Sequence, residues 1–185
     1  MIVNKKTFWI FAIAVLALYS IVYVNFPNPF GQLIQEMSSK EEATKTFFNS
    51  VFATYNNVIL QFAFRVLTLI VNIWIVITIT RLIANLESSI RRETRVDSKI
   101  INDFAYNLAF VTLITFAVLA ITTIFLGKAL PMISLNNYTL LLAIMLLGKI
   151  FIAYIPLIKK CKLYLTACLG IITSASLIFS GALLK

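Results

Sequence analysis

The sequence contains no histidine and only seven acidic residues among 185. Without histidine the chain lacks the common haem ligand, the imidazole ligands of many zinc sites and the base of a serine–histidine protease. The acidic residues all lie outside the long apolar runs, so proton relays and paired-aspartate proteases have no carboxylate to use within a membrane. We therefore expect a protein that is not an enzyme and that holds no metal or cofactor.

Glycine, proline and cysteine are also scarce. The five glycines are scattered along the chain and form no glycine-rich phosphate loop. The two cysteines, Cys161 and Cys168, fall on one predicted helix near the cytoplasm, where a disulfide is not expected. No motif in the sequence assigns the chain to a family.

Apolar residues dominate instead. The chain is 61% hydrophobic and 12% charged, whereas soluble domains are about 45–50% apolar and about 25% charged. Five apolar runs are long enough for a spanning helix of about 20 residues. They cover about 8–26, 58–80, 104–126, 139–158 and 163–184. This pattern predicts an all-α integral membrane protein, with 1–185 as a single transmembrane domain of five transmembrane helices.

Basic residues predict the orientation of these helices. With a cytoplasmic N-terminus, ten basic residues fall on the inner side and four on the outer side, as the positive-inside rule requires. We expect a bacterial inner membrane protein with a cytoplasmic N-terminus and a periplasmic C-terminus. The net charge of +9 follows from this asymmetry. The inner segment 81–103 carries five basic and four acidic residues, so no nucleic acid partner is expected.

The second helix is predicted to be unusually long. Neither glycine nor proline occurs between Gly31 and Gly127, and Ser39 with Glu42 has the spacing of a capping box. A helix could therefore run from this box to about Thr94 and extend beyond the bilayer on both sides. Asp97 with Ser98 predicts a turn and an N-cap, so the third helix is expected to begin near Lys99. Helices two and three would then form a cytoplasmic helical hairpin over about 82–103, in which Glu87 and Arg91 stand four residues apart as a favourable pair. Its candidate residues for docking a soluble partner are Glu87, Arg91, Arg92 and Arg95.

A polar stripe runs along this predicted helix. Its members, spaced by three or four residues, are Ser50, Thr54, Asn57, Gln61, Arg65, Thr68 and Asn72. Such spacing places them on one face of a helix, and lipid does not tolerate amides and a cation on a helix face. The stripe is a polar helix–helix seam, a water-lined pathway at the axis of an oligomer, or a groove for a membrane partner. The candidate pore or interface residues are Asn57, Gln61, Arg65, Thr68 and Asn72.

Arg65 and Lys149 are the two charges within the predicted spans, and neither has an acidic residue at membrane depth. Arg65 could extend its side chain to the outer edge. Lys149 could bond backbone carbonyls freed by Pro156. If both faced one cavity, that cavity would favour an anion or a lipid phosphate.

Three classes of function fit these features. The leading hypothesis is a homo-oligomeric channel or membrane effector with helix two at the oligomer axis. The alternative is an accessory, immunity or phage-defence-type subunit that binds a partner protein through helix two and the cytoplasmic hairpin. A third is a small transporter or anionic-lipid-binding protein. In the fifth run, Ala167, Gly170, Ser174 and Gly181 approximate one stripe of small residues, either a helix-packing face or ordinary membrane-helix composition.

Overall fold

A computed structural model describes residues 4–27, 31–33, 36, 50–51, 53–91, 96–133 and 135–183. For residues 133, 135, 173–174 and 176–183 it describes the backbone alone. These parts of the chain form helices and short connections, with no strand among them. The all-helical prediction is confirmed.

Seven α-helices and one π-helical segment have described bounds, and residues 31–33, 36, 50–51 and 53–55 are helical as well. The elements with described bounds are α1 (Lys5–Asn25), α2 (Val58–Arg91), α3 (Ser98–Leu126), α4 (Leu130–Ile133), α5 (Leu135–Lys149), the π segment (Ile150–Tyr154), α6 (Ile155–Cys161) and α7 (Tyr164–Leu183).

Four helical stretches are long and apolar enough to cross a membrane. They are α1, α2, α3 and the continuous stretch Asn136–Cys161, which joins α5, the π segment and α6. The fifth predicted run corresponds to α7. Most side chains beyond Ile172 lie outside the described residues, so a fifth membrane crossing stays a prediction.

The second helix begins later than the sequence pattern predicts. Residues 53–55 are helical, Asn56 is in a turn and Asn57 is not helical. The Asn57 side-chain oxygen accepts hydrogen bonds from the backbone N–H groups of Ile59 (3.0 Å) and Leu60 (3.1 Å). This is an N-cap, which satisfies donors that the first turn of a helix leaves free.

The prediction of one unbroken helix is therefore wrong at Asn56–Asn57, although no glycine or proline is present there. The predicted capping box at Ser39 and Glu42 lies outside the described residues, as does Thr94. From Val58, α2 runs for 34 residues, about 51 Å at about 1.5 Å per residue. This exceeds the hydrocarbon core of about 30 Å, but projection on both sides of a bilayer stays a prediction.

The start of α3 matches the sequence pattern. The Asp97 carboxylate accepts a hydrogen bond from the Lys99 N–H at 2.9 Å, and α3 begins at Ser98. Asp97 thus caps the helix, as predicted for this turn.

The chain is organised as two compact units. The first unit comprises Met1–Trp9, Leu69–Thr112 and Thr139–Lys185. Its core joins residues of α2, α3, the π segment, α6 and α7. The buried members are Ala84, Ile101, Phe104, Ala153, Tyr154, Leu157, Leu163 and Ala167.

The second unit comprises Ile10–Thr68 and Leu113–Tyr138. Aromatic contacts join its helices. Tyr19 on α1 stacks on Phe116 of α3, with ring centroids 5.0 Å apart. The ring centroid of Tyr23 lies 5.3 Å from that of the buried Tyr55. These contacts fix the end of α1.

Candidate functional site

One face of α2 is exposed along several turns. Its members are Asn72, Ile75, Ile79, Leu82 and Leu86, which we call the α2 stripe. The residues are three and four apart, so at about 3.6 residues per turn they share one side of the helix. The four apolar side chains are 39–59% exposed. In contrast, Ile73, Thr80 and Ala84 are buried on another side of α2.

Asn72 is the polar member of the α2 stripe. Among the described residues, nothing forms a hydrogen bond with its exposed amide. The two exposed threonine side chains nearest to Asn72 have partners. The hydroxyls of Thr68 and Thr78 donate to the carbonyls of Phe64 (2.7 Å) and Trp74 (2.9 Å) of the same helix. Asn72 therefore presents a side-chain amide with no partner near the middle of the predicted span 58–80.

The polar stripe predicted from the sequence does not lie on a single helix. Asn57 caps α2 and does not belong to its face, so the prediction that it shares one helix face with the other members is wrong. Its role as a pore or interface residue stays a prediction. Ser50 and Thr54 precede this break, and the Thr54 hydroxyl donates to the Ser50 carbonyl at 2.9 Å. The remaining four members lie on α2. Thr68 and Asn72 are exposed, whereas Gln61 and Arg65 are partly buried.

Arg65 packs on aromatic residues of α1. Its guanidinium carbon lies 4.5 Å from the ring centroids of both Tyr19 and Tyr23. Its Nη2 donates to the Gln61 side-chain oxygen at 3.3 Å. The Arg65 Nε is buried and has no hydrogen-bond partner. The cation is thus held by π faces, which stabilise a desolvated guanidinium by about 2 kcal/mol or more. No described acidic residue pairs with it.

A buried carboxylate connects α2 with α7. Glu87 is only 3% exposed. Its oxygens accept hydrogen bonds from the backbone N–H groups of Leu165 and Thr166, both at 3.1 Å, and from the Thr166 hydroxyl at 3.0 Å. The first N–H groups of a helix lack partners within it, and the helix dipole favours an anion there. Glu87 therefore caps the N-terminus of α7.

Arg91 completes this arrangement, which we call the Glu87 clasp (Glu87, Arg91, Lys162, Leu165 and Thr166). The Arg91 Nη2 pairs with Glu87 at 2.9 Å. Its Nη1 donates to the Lys162 carbonyl at 2.6 Å. Lys162 has a φ of 53°, and this left-handed residue ends α6. The clasp thus holds the turn between α6 and α7.

These contacts involve two residues of the predicted cytoplasmic docking site, which stays a prediction. Glu87 is buried, and its carboxylate is engaged within the chain. Arg91 is bound to Glu87 and Lys162. Arg92 and Arg95 lie outside the described residues.

Lys149 lies at the last residue of α5, directly before the π segment. The side chain is partly buried. Among the described residues, no hydrogen bond or ion pair reaches its ammonium group. The Ile155 N–H donates to the Ile150 carbonyl, and Pro156 has no N–H. The Phe151 carbonyl therefore receives neither the α-type nor the π-type donor. A hydrogen bond from Lys149 to a carbonyl freed by Pro156 is not made among the described residues.

The sequence pattern alone did not predict the apolar part of the α2 stripe. The spacing of three and four that ends the polar stripe at Asn72 continues through Ile75, Ile79, Leu82 and Leu86. This spacing can be read from the sequence. An apolar stripe does not stand out, however, in a membrane helix whose other residues are also apolar. Its residues are distinguished by sharing a face with Asn72, since other apolar residues of α2, such as Trp74, are exposed as well.

Comparison with protein-family models, with curated proteins and with solved structures finds no match to this chain. The fold therefore defines its class. Four long apolar helices and an all-helical chain are the build of a multi-pass membrane protein.

Proposed function

We propose that this chain is a non-catalytic, multi-pass inner-membrane protein that acts by assembling with copies of itself through the α2 stripe. The observation that carries the proposal is the exposed Asn72 amide, which has no partner among the described residues. In hydrocarbon an amide without a hydrogen bond is costly. Asparagine amides can donate and accept at once, so two copies of Asn72 satisfy each other across a symmetric interface.

The apolar residues of the stripe support the same interface. Residues spaced alternately three and four apart along a helix form the repeat by which helices pack knobs into holes. One asparagine within such a repeat fixes the register and the oligomeric state. Ile75, Ile79 and Leu82 would pack against their counterparts beside the Asn72 pair. Packing and interhelical hydrogen bonds are what drive the association of membrane helices.

The proposed orientation has support within each unit. In the first unit, Arg91 binds Lys162, and both belong to segments that the basic residues assign to the cytoplasmic side. In the second unit, the Ala129 N–H donates to the Pro27 carbonyl at 3.0 Å, and both lie in segments assigned to the periplasmic side. We retain a cytoplasmic N-terminus in the proposal.

A conducting channel is the less supported form of this assembly. With Asn57 at a helix cap and Arg65 against α1, an axis lined by α2 would present Thr68 and Asn72 followed by the apolar Ile75 and Ile79. Such a lining forms a hydrophobic constriction. The geometry therefore supports the proposal of self-association better than it supports conduction.

Substitution of Asn72 tests the proposal. Chains labelled with donor or acceptor dyes at Cys168, in a Cys161→Ser background, are reconstituted in liposomes and diluted with lipid. An interhelical hydrogen bond contributes about 0.6–1.7 kcal/mol. Asn72→Val should therefore weaken self-association about three- to twentyfold, as measured by energy transfer against the protein-to-lipid ratio.

Thr78→Val is the matched control. Thr78 is an exposed polar residue of α2 outside the stripe, and its hydroxyl already donates to Trp74. This variant should associate like the native chain. Energy transfer in the native chain no greater than that of randomly distributed monomers would contradict the proposal, and so would an unchanged Asn72→Val variant.

A further inference from the structure

The environment of Arg65 in the second unit differs from that of an arginine that only extends toward the membrane surface. Such side chains are mobile. Here the guanidinium lies over two rings whose centroids are 5.8 Å apart. Each ring is fixed by another aromatic residue, Tyr19 by Phe116 and Tyr23 by Tyr55. The cation is therefore held in place before any ligand arrives.

The hydrogen bonds of this guanidinium are incomplete. The group carries five N–H donors, and within the described residues one hydrogen bond is made, to Gln61. The Nε has no partner, and Arg65 forms no ion pair with a described residue. The two tyrosine rings cover the guanidinium but cannot neutralise its charge. A planar guanidinium whose donors remain unused is suited to an anion with several oxygens.

The depth of the site favours one class of anion. The Arg65 side chain reaches back toward Gln61, one turn from the start of α2 at Val58. Tyr19 and Tyr23 lie in the last two turns of α1, which ends at Asn25. Both helices therefore place the guanidinium near one end of the predicted spans. Phosphate groups lie at this level of a bilayer, and guanidinium–phosphate pairs form two parallel hydrogen bonds.

We propose that Arg65, supported by Tyr19, Tyr23 and Gln61, binds a phosphate group, from a phospholipid headgroup or from a soluble phosphate. Arg65 supplies the charge and the hydrogen bonds. The tyrosines hold the guanidinium, and Gln61 sets the direction of its side chain. Phosphate binding here does not depend on self-association through the α2 stripe.

Two measurements on the full chain in phosphate-free detergent test this assignment. Native mass spectrometry counts phospholipid carried per chain and titrates short-chain phosphatidylglycerol. A separate ³¹P NMR titration of delipidated protein uses inorganic phosphate. Retained phospholipid that millimolar inorganic phosphate does not displace identifies a headgroup ligand. Saturable broadening of the inorganic phosphate signal identifies a soluble one.

Arg65→Gln should weaken binding of the recognised phosphate about tenfold or more, because the charge and its hydrogen bonds are lost. Arg65→Lys should retain part of the affinity, since it keeps a charge without the planar fork. Arg81→Gln removes an exposed arginine from the same helix and should bind like the native chain. Circular dichroism and a single elution peak establish that each variant is folded.

Three results would overturn the assignment. One is a native chain that binds neither phosphate source. The second is a folded Arg65→Gln variant with unchanged affinity. The third is an equal loss in Arg81→Gln, which would indicate general attraction between charges. If Arg65→Gln does not fold, the native chain and Arg65→Lys still decide the matter, because the absence of binding in both contradicts the proposal.

Discussion

Replacing Glu87 with alanine is expected to lower the free energy of unfolding by about 2–4 kcal/mol. The substitution leaves the N–H groups of Leu165 and Thr166 without an acceptor inside a buried region. It also leaves the Arg91 cation without its carboxylate. Denaturant unfolding in detergent micelles, followed by circular dichroism, measures the loss.

Glu87→Gln is the matched variant for this prediction. It keeps the shape of the side chain and one good acceptor but removes the charge, so a smaller loss is expected. A Glu87→Ala variant within about 0.5 kcal/mol of the native chain would contradict the role of the clasp, since that is the range of ordinary surface substitutions.

Glu87→Ala is also expected to destabilise one particular part of the chain, the turn between α6 and α7. Cys161 is partly buried at the end of α6, next to the turn that the clasp holds. In a Cys168→Ser background, Cys161 should react faster with a maleimide in Glu87→Ala than in Glu87→Gln, because the turn opens locally. Equal rates in the two variants would place the loss elsewhere in the chain.

Gly170→Ala is expected to destabilise the chain by about 1–3 kcal/mol, although alanine favours a helix more than glycine does. A Cβ at position 170 would overlap the ring of Tyr154. That ring is only 4% exposed and packs edge-on against Phe104 at 5.3 Å. It cannot move aside without disturbing the core of the first unit.

Gly148→Ala is the control for this substitution. A Cβ there would lie 3.4 Å from Cγ1 of Val111, a tight but tolerable contact. The gain in helix propensity should offset the cost of this contact, so the free energy of unfolding should change by less than about 1 kcal/mol. A double-mutant cycle with Tyr154→Ala should show coupling to Gly170→Ala and none to Gly148→Ala. Equal losses in the two glycine variants would contradict the close packing of α7 on the π segment.

Much of the fold could be predicted from local patterns in the sequence. Apolar runs identified the four helices that are long enough to cross a membrane, and Asp97 identified the start of α3. The break before α2 was not predicted, because neither glycine nor proline, the residues that most often interrupt a helix, occurs there. An asparagine side chain that bonds the next two or three N–H groups also ends one helix and starts another.

The contacts of the candidate site could be predicted only in part. The sequence showed that Arg65 lacks an acidic partner, but it could not show that Tyr19 and Tyr23 supply π faces from α1. Glu87 and Arg91 are four residues apart in the sequence and could be recognised as a pair. Glu87 and Thr166, which are also hydrogen-bonded, are 79 residues apart. Residues so far apart leave no periodic signal. The small residues of the fifth run indicated close packing as one of two interpretations. Gly170, which lies against the ring of Tyr154, is one small residue whose size this packing explains.

A cysteine cross-linking scan along α2 tests self-association through the α2 stripe most directly. In a chain with Cys161→Ser and Cys168→Ser, single cysteines are placed at successive positions from Val71 to Leu86 and oxidised in native membranes. Cross-linked dimers should be most abundant with cysteine at 72, 75, 79, 82 and 86. Trp74 and Thr78 are exposed positions outside the stripe, and cysteines there should cross-link least among exposed sites. Uniform cross-linking at all exposed positions, or maxima at 74 and 78, would contradict an interface formed by the α2 stripe.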